Sequence, residues 1–285
     1  MNALISSTRA ELLRLRKWPA MWVMVGVWLV LNLTFGYLFT YITYTTGDAT
    51  AGGESVPPEQ LLADMMPAAV PESLIAGMPM FGGAIMLILG GLAVGSGYGW
   101  GAWKTVFTQG PGRLSSFGGT LVALGVIVSG AVVATFAVDL GVSVLIASVE
   151  SQPIVWPTAV GSAQAIGAGL LIFGMWTAAG VLVGTLARSP ALAVGLGLVW
   201  ALVVENLLRG VAGMLGPVEA VTDLMPGTAA GSLAGALGVA TQDDRNGTPG
   251  VLTVLGAAPA GGLLAAYVVV FAGIALAFVR RRDVI

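Results

Sequence analysis

The stretch Trp100-Gly-Ala-Trp-Lys-Thr-Val-Phe-Thr-Gln-Gly-Pro-Gly-Arg113 is a short polar break between two long apolar runs, and its placement decides how the chain is laid out. At helical spacing Trp103, Val106 and Phe107 fall on one side of a short amphipathic helix, with Lys104, Thr105, Thr108 and Gln109 on the other. Gly110-Pro111-Gly112 then stops it. A helix this short is marginal alone and needs a second body to lean on.

The runs on either side say what surrounds it. Of 285 residues 56% are hydrophobic and only 9% charged, against about 25% charged in soluble proteins. The chain is therefore expected to be an all-α polytopic membrane protein. With no cysteine it has neither a disulfide framework nor thiolate chemistry. With no histidine it lacks the usual general base, proton shuttle and metal ligand. The net charge of -2 says little about partners, because acids and bases are sorted to opposite sides.

Upstream of the first apolar run, Leu4, Ile5, Thr8, Leu12, Leu15 and Trp18 share one helical arc, and Arg9, Arg14, Arg16 and Lys17 occupy the other, with Glu11 and Leu13 as misfits. This pattern predicts a helix over residues 1–19 lying in the headgroup plane, its bases toward anionic lipid; an ordinary basic flank is the plainer alternative. Pro19 separates it from the next helix. No cleavable signal is expected, since the run after Lys17 is too long for an h-region.

Six spans are predicted, over residues 20–44, 78–98, 118–148, 163–186, 190–208 and 260–279. Trp22, Trp28, Tyr37, Tyr41 and Tyr44 are interface anchors in the first. The following loop holds Asp48, Glu54, Glu59, Asp64 and Glu72 but no base, with at most a helix near Glu59 to Met66. Gly91 and Gly95 in the second span and Gly180 and Gly184 in the fourth form G-x-x-x-G pairs, read as tight packing within one bundle ahead of a dimer seam. The third span is too long for a bilayer unless it tilts or projects. Residues 210–258 are only weakly apolar, with short pieces expected near Val218 to Leu224 and, capped by Thr228, near Ala229 to Ala240. These are expected to be broken outer helices that dip shallowly into the bilayer.

The bases fix the orientation. With both termini cytoplasmic, Arg9, Arg14, Arg16, Lys17, Lys104, Arg113, Arg188, Arg280, Arg281 and Arg282 lie inside, leaving only Arg209 and Arg245 of the twelve bases outside. Neither lysine completes a G-x-x-x-x-G-K-[ST] loop, so ATP hydrolysis by that route is excluded. A Ser-His protease is excluded with it. Two acids remain inside spans, Asp139 and Glu205, each either a gating group or a hydrated structural acid.

Taken together, the chain resembles the permeases of ABC type-2 transporters, the membrane subunits of ATP-driven exporters. The resemblance rests on the basic N-terminal helix, the large loop after the first span, the G-x-W-K-T-x-x-T-x-x-P-x-R stretch from Gly101 to Arg113, the broken helices before the sixth span and the ending Phe278-Val-Arg-Arg-Arg-Asp283. The acid that such permeases carry just before the inner stretch is replaced here by Tyr98-Gly99-Trp100.

The resemblance implies that residues 100–113 form a cytoplasmic coupling helix, in which Trp103, Lys104, Thr105, Phe107, Thr108 and Arg113 engage a separately encoded ABC ATPase. Arg9, Arg14, Arg16, Lys17 and Trp18 would contact the same subunit. It further implies a second permease copy or a related permease as partner, ATP and magnesium bound only by the ATPase, no catalysis and no nucleic acid in this chain, and residence in the inner (plasma) membrane. Rival readings are an ATPase-independent secondary transporter, disfavoured by the scarcity of midplane charges, and a membrane scaffold or assembly factor. The residues do not identify a substrate.

Overall fold

The computed structural model describes residues 2–47, 56–109, 112–212, 216–244 and 247–281. Among the described residues there is no strand. Asp48, Glu54, Arg245, the Gly110-Pro111 stop and the terminal Arg282-Asp283 lie outside them.

Helix α1 (Asn2–Lys17) is followed after Trp18 by α2 (Pro19–Leu33), which runs through a π turn, Thr34–Leu38, into α3 (Phe39–Thr46). Next come two short helices, α4 (Pro58–Asp64) and α5 (Val70–Ala76). A π turn at Met78–Gly82 opens α6 (Gly83–Gly99), and α7 (Ala102–Gln109) follows it directly. Two long helices, α8 (Arg113–Val149) and α9 (Ala159–Ala187), lead to α10 (Pro190–Leu198). A third π turn, Val199–Val204, joins α10 to α11 (Glu205–Ala212). The chain closes with α12 (Gly216–Thr222), α13 (Pro226–Ala236) and α14 (Ala257–Arg281).

Six of these helical runs are long and apolar enough to cross a membrane: Pro19–Thr46, Met78–Gly99, Arg113–Val149, Ala159–Ala187, Pro190–Ala212 and Ala257–Arg281. They are called spans 1 to 6 below, and they mark a multi-pass membrane protein. Their alternation puts Lys17, Lys104, Arg113, Arg188 and Arg281 at one end of the molecule, the basic end.

Span 2 is the most buried of the six. It packs on span 4 through glycine, where both G-x-x-x-G pairs meet within one chain. A Cβ on Gly180 would overlap the Leu87 carbonyl, and one on Gly184 would lie 2.9 Å from the Gly91 carbonyl oxygen and 3.3 Å from the Gly95 nitrogen. Gly95 in turn lies against Pro190 at the start of span 5. Backbones approach this closely only where no side chain intervenes.

With 37 residues, span 3 is about 55 Å long at 1.5 Å per residue, so it outreaches a hydrocarbon layer of about 30 Å. Its extra turns form the platform on which α1 lies: Ser7 and Thr8 press on Gly119, and Leu4 on Gly118. Glu11, out of place in the sequence pattern, has a partner here, since Arg14 Nε donates to its Oε2 at 2.9 Å. Arg14 also turns inward, its Nη2 donating to the Ala93 carbonyl of α6 at 3.2 Å, in place of the expected lipid contact.

Several sequence expectations are corrected beyond the basic end. The helix expected near Glu59 to Met66 is present as α4, Pro58–Asp64, opened by a proline at its first position, but α5, Val70–Ala76, is a second helix in a loop expected to hold at most one. Thr228 does not cap α13: Met225 is the N-cap, Pro226 begins the helix, and Thr228 is buried in its first turn. The helix ends at Ala236, before Gly238 at φ +101°, and so stops short of Ala240. Span 5 continues past residue 208 to Ala212.

The segment after span 5 is also deeper than a shallow dip. Helices α12, which packs on α11, and α13, which packs on α14, meet at a turn, Asp223 to Met225. This α12–turn–α13 segment, called the hairpin below, reaches at its tip Tyr267, ten residues along α14 from Ala257, which is about 15 Å down that helix. Residues Pro226 to Ala234 are buried throughout, and the Leu252 N–H donates to the Gly231 carbonyl from the segment that wraps them. Non-helical backbone at this depth is tolerated because protein covers it.

Candidate functional site

Two regions hold the residues singled out from the sequence: the basic end, and a pair of buried acids inside the spans.

At the basic end α7 is pinned by Trp103, which is only 5% exposed. Its Nε1 donates to the Val94 carbonyl at 3.1 Å, and its ring packs on Phe117 of α8 and stacks on Phe107, one helical turn along. Gly97 makes room, since a Cβ there would run into the indole. Arg14 and Trp103 thus hold two consecutive carbonyls of α6, Ala93 and Val94. Three elements, α1, α7 and α8, are thereby tied to the end of span 2. The guanidinium of Arg113 lies 5.8 Å from the centre of the Phe107 ring, closing the start of α8 over α7.

The opposite face of α7 is bare: Lys104, Thr105 and Thr108 are all exposed. Val106, expected on the packed side, is exposed with them, and the stacked pair Trp103 and Phe107 makes the inward contact instead. In α1, Arg9, Arg16 and Lys17 are exposed, whereas Arg14 is half-buried, as is Trp18 between α1 and α2. The basic end therefore presents a cationic and hydroxyl-bearing surface carried by two short helices, each rigidly seated through an inward side chain.

Asp139 and Glu205 are both fully buried, and each joins two elements. Asp139 belongs to a ladder of polar pairs between spans 1 and 3. Trp28 Nε1 donates to Thr135 Oγ1 at 2.9 Å, Asn32 Nδ2 to Asp139 Oδ1 at 2.6 Å, and the Tyr37 and Ser143 hydroxyls lie 3.5 Å apart. At its far end the hydroxyls of Tyr41 and Tyr44 donate to the Glu150 carboxylate at 2.9 and 3.1 Å.

The π turn at Thr34–Leu38 keeps this ladder in step. On span 3 the rungs recur every four residues, from Thr135 to Asp139 to Ser143, whereas on span 1 the step from Asn32 to Tyr37 is five. One inserted residue, accommodated as a π turn, returns Tyr37 to the shared face. Sequence reasoning picked out Asp139 and missed Asn32, Thr135 and Ser143, and it read Trp28 and Tyr37 as interface anchors, whereas both are buried rungs of this ladder; the four-residue spacing of the polar positions on span 3 was the available signal.

Glu205 fastens the hairpin to span 5. Its Oε2 accepts the Gly227 N–H at 2.9 Å, at the start of α13, and its Oε1 accepts from Trp200 Nε1 at 3.0 Å. A carboxylate at a helix N-terminus is favoured both by the free N–H groups and by the helix dipole. Trp200 and Glu205 are five residues apart, which would point them apart on an α-helix, and the π turn Val199–Val204 brings them to one side. Arg209 stands one turn on, its Nε donating to the Glu205 backbone carbonyl at 3.3 Å. Gly227 leaves the space that the carboxylate fills. Among the described residues no cluster of three metal-ligating side chains occurs.

Compared with known protein families and with curated proteins, the chain matches none.

Proposed function

We propose that this chain is the membrane permease subunit of an ATP-driven ABC exporter, with α7 as its coupling helix. The observation that carries the proposal is the two-sidedness of α7: Trp103 is plugged between α6 and α8 while Lys104, Thr105 and Thr108 face outward. A helix so built receives force on its polar face and delivers it through Trp103 to the ends of spans 2 and 3. In this account Lys104, Thr105, Thr108, Phe107 and Arg113 form or support the contact with a separate ATPase, and Arg9, Arg16 and Lys17 of α1 extend it or hold anionic lipid. Trp103, Arg14 and Trp18 act within the subunit as anchors. The protein sits in the plasma membrane with both termini cytoplasmic, beside a second copy or a related permease, and ATP and magnesium belong to the ATPase.

From the basic end, span 2 carries displacement toward the hairpin. Its opening π turn abuts α13, Met80 lies against Gly250 of the segment that wraps α13, and Trp176 Nε1 donates to the Pro79 carbonyl at 3.1 Å. The hairpin, latched by Glu205, is then the movable part at the outer side. The test is affinity purification of the tagged full chain from membranes of its own host. A co-purifying P-loop ATPase whose turnover is uncoupled from export by Lys104→Glu, with assembly intact, is the expected result. Export that proceeds without any nucleotide-binding subunit overturns the proposal.

A further inference from the structure

Spans 2, 4, 5 and 6, together with α12 and the hairpin tip, line a cleft of about 560 Å3, within the range of small-molecule sites. It is not a flat stretch of lipid-facing surface. Its lining combines Leu87, Trp176 and Met225, all buried in the core, with Trp200, Val221 and Leu224, which are 46%, 59% and 56% exposed. It is therefore bordered both by the protein interior and by the outward surface of the spans.

The chemistry of the wall selects the occupant. No charged residue lines the cleft. Each of the three side-chain N–H or O–H donors on it is already spent: Trp176 Nε1 on the Pro79 carbonyl at 3.1 Å, Trp200 Nε1 on Glu205 at 3.0 Å, and the Tyr267 hydroxyl on the Leu224 carbonyl at 2.7 Å. A buried water needs two to four polar partners, whereas an apolar cavity stays dry and takes apolar guests. The rings of Tyr267 and Phe271, stacked with centroids 5.2 Å apart, add a smooth wall without a free polar edge. Tyr267 lies about 15 Å along span 6 from Ala257. That is close to the middle of a hydrocarbon layer about 30 Å thick, so the mouth opens among acyl chains and away from headgroups.

We propose that this cleft is a binding site for one uncharged hydrocarbon chain, admitted sideways from the bilayer. A chain seated there touches Leu224, Met225 and Pro226, the hairpin residues immediately before the Glu205 contact at Gly227, so occupancy and hairpin position are linked. The site stands on its own geometry and requires no ATPase.

The test uses the purified full chain in lipid nanodiscs containing either a phosphatidylcholine with a photoactivatable diazirine in one acyl chain or palmitic acid carrying the same group. After illumination, cross-links are mapped by mass spectrometry. Labelling of the peptides around Trp176–Val183, Leu224–Pro226 and Tyr267–Phe271, several-fold above that at the exposed span residue Val126, is expected. The labelling should fall to the Val126 level in Ala179→Trp and Val183→Trp, which fill the cleft, and should saturate against unlabelled palmitate or phospholipid in the unaltered chain. The probe that labels identifies the source, a membrane lipid or a free amphiphile, and either supports the site. Labelling of the cleft no denser than at Val126, or competition that does not saturate in the unaltered chain, overturns it.

Discussion

Asp139 and Glu205 are both carboxyl groups sealed inside spans, yet they are held in opposite ways. Glu205 has a donor for each oxygen, whereas Asp139 has Asn32 on Oδ1 and no partner on Oδ2. An unpaired buried oxygen is costly, and exchanging it in place for an amide nitrogen gives up no hydrogen bond. Asp139→Asn keeps an acceptor for Asn32 and should change stability by less than about 1 kcal/mol. Asn32→Leu strands the carboxyl and should cost about 1–3 kcal/mol. Thermal unfolding of the two variants in detergent checks the order.

Both acids were legible in the sequence, because a charge interrupts an apolar run. Their partners were not, since Asn32 and Trp200 look like ordinary span residues until the contacts with Asp139 and Glu205 are seen. Outside the spans, burial raises the carboxyl of Glu72 above its usual range, as does the nearby Asp64. A raised acid binds its proton more tightly when folded, so its contribution is full below the unfolded value and is lost as pH rises through the folded one. Glu72→Gln should therefore be neutral or stabilising at pH 7 and should flatten the loss of melting temperature between acidic and neutral pH.

Helix packing follows the same division between what a sequence shows and what it hides. The G-x-x-x-G spacings at Gly91/Gly95 and Gly180/Gly184 were visible, and so was their use for close approach. That the two pairs face one another could not be read from spacing alone. Gly180→Val would drive a side chain into the Leu87 backbone, which cannot yield as a side-chain end would. It should cost about 3 kcal/mol or more and shift the protein to aggregates. Gly125→Ala, on a helical face with open space around it, should raise stability by up to about 1 kcal/mol. Denaturation curves of the pair separate packing from propensity.

The π turns at Thr34–Leu38 and Val199–Val204 were invisible for a different reason. Nothing in the residues there opposes an ordinary α-helix, and the insertion is recognised only through the contacts it aligns, Tyr37 with Ser143 and Trp200 with Glu205. The depth of α13 was missed because its small residues carry too little hydropathy to signal burial, although protein encloses them on every side.

As a whole, the molecule is organised around span 2. One end is gripped by Arg14 and Trp103, its middle is pressed on span 4 through glycine, and its other end supports the hairpin. Six apolar runs separated by polar breaks made this many spans legible from the sequence. Which span lay at the centre was not, because the hydropathy of span 2 resembles that of its neighbours while its burial does not. The proposed function needs this rod to be pushed from the cytosol.

The chain contains no cysteine, so a single Lys104→Cys is a unique attachment point for a photo-cross-linker. In membranes of the native host, illumination should capture an ABC-type ATPase from position 104 and none from Val269→Cys on the exposed face of span 6. Absence of an ATPase at position 104, or reaction of that cysteine with an impermeant thiol reagent applied outside intact cells, would contradict the account.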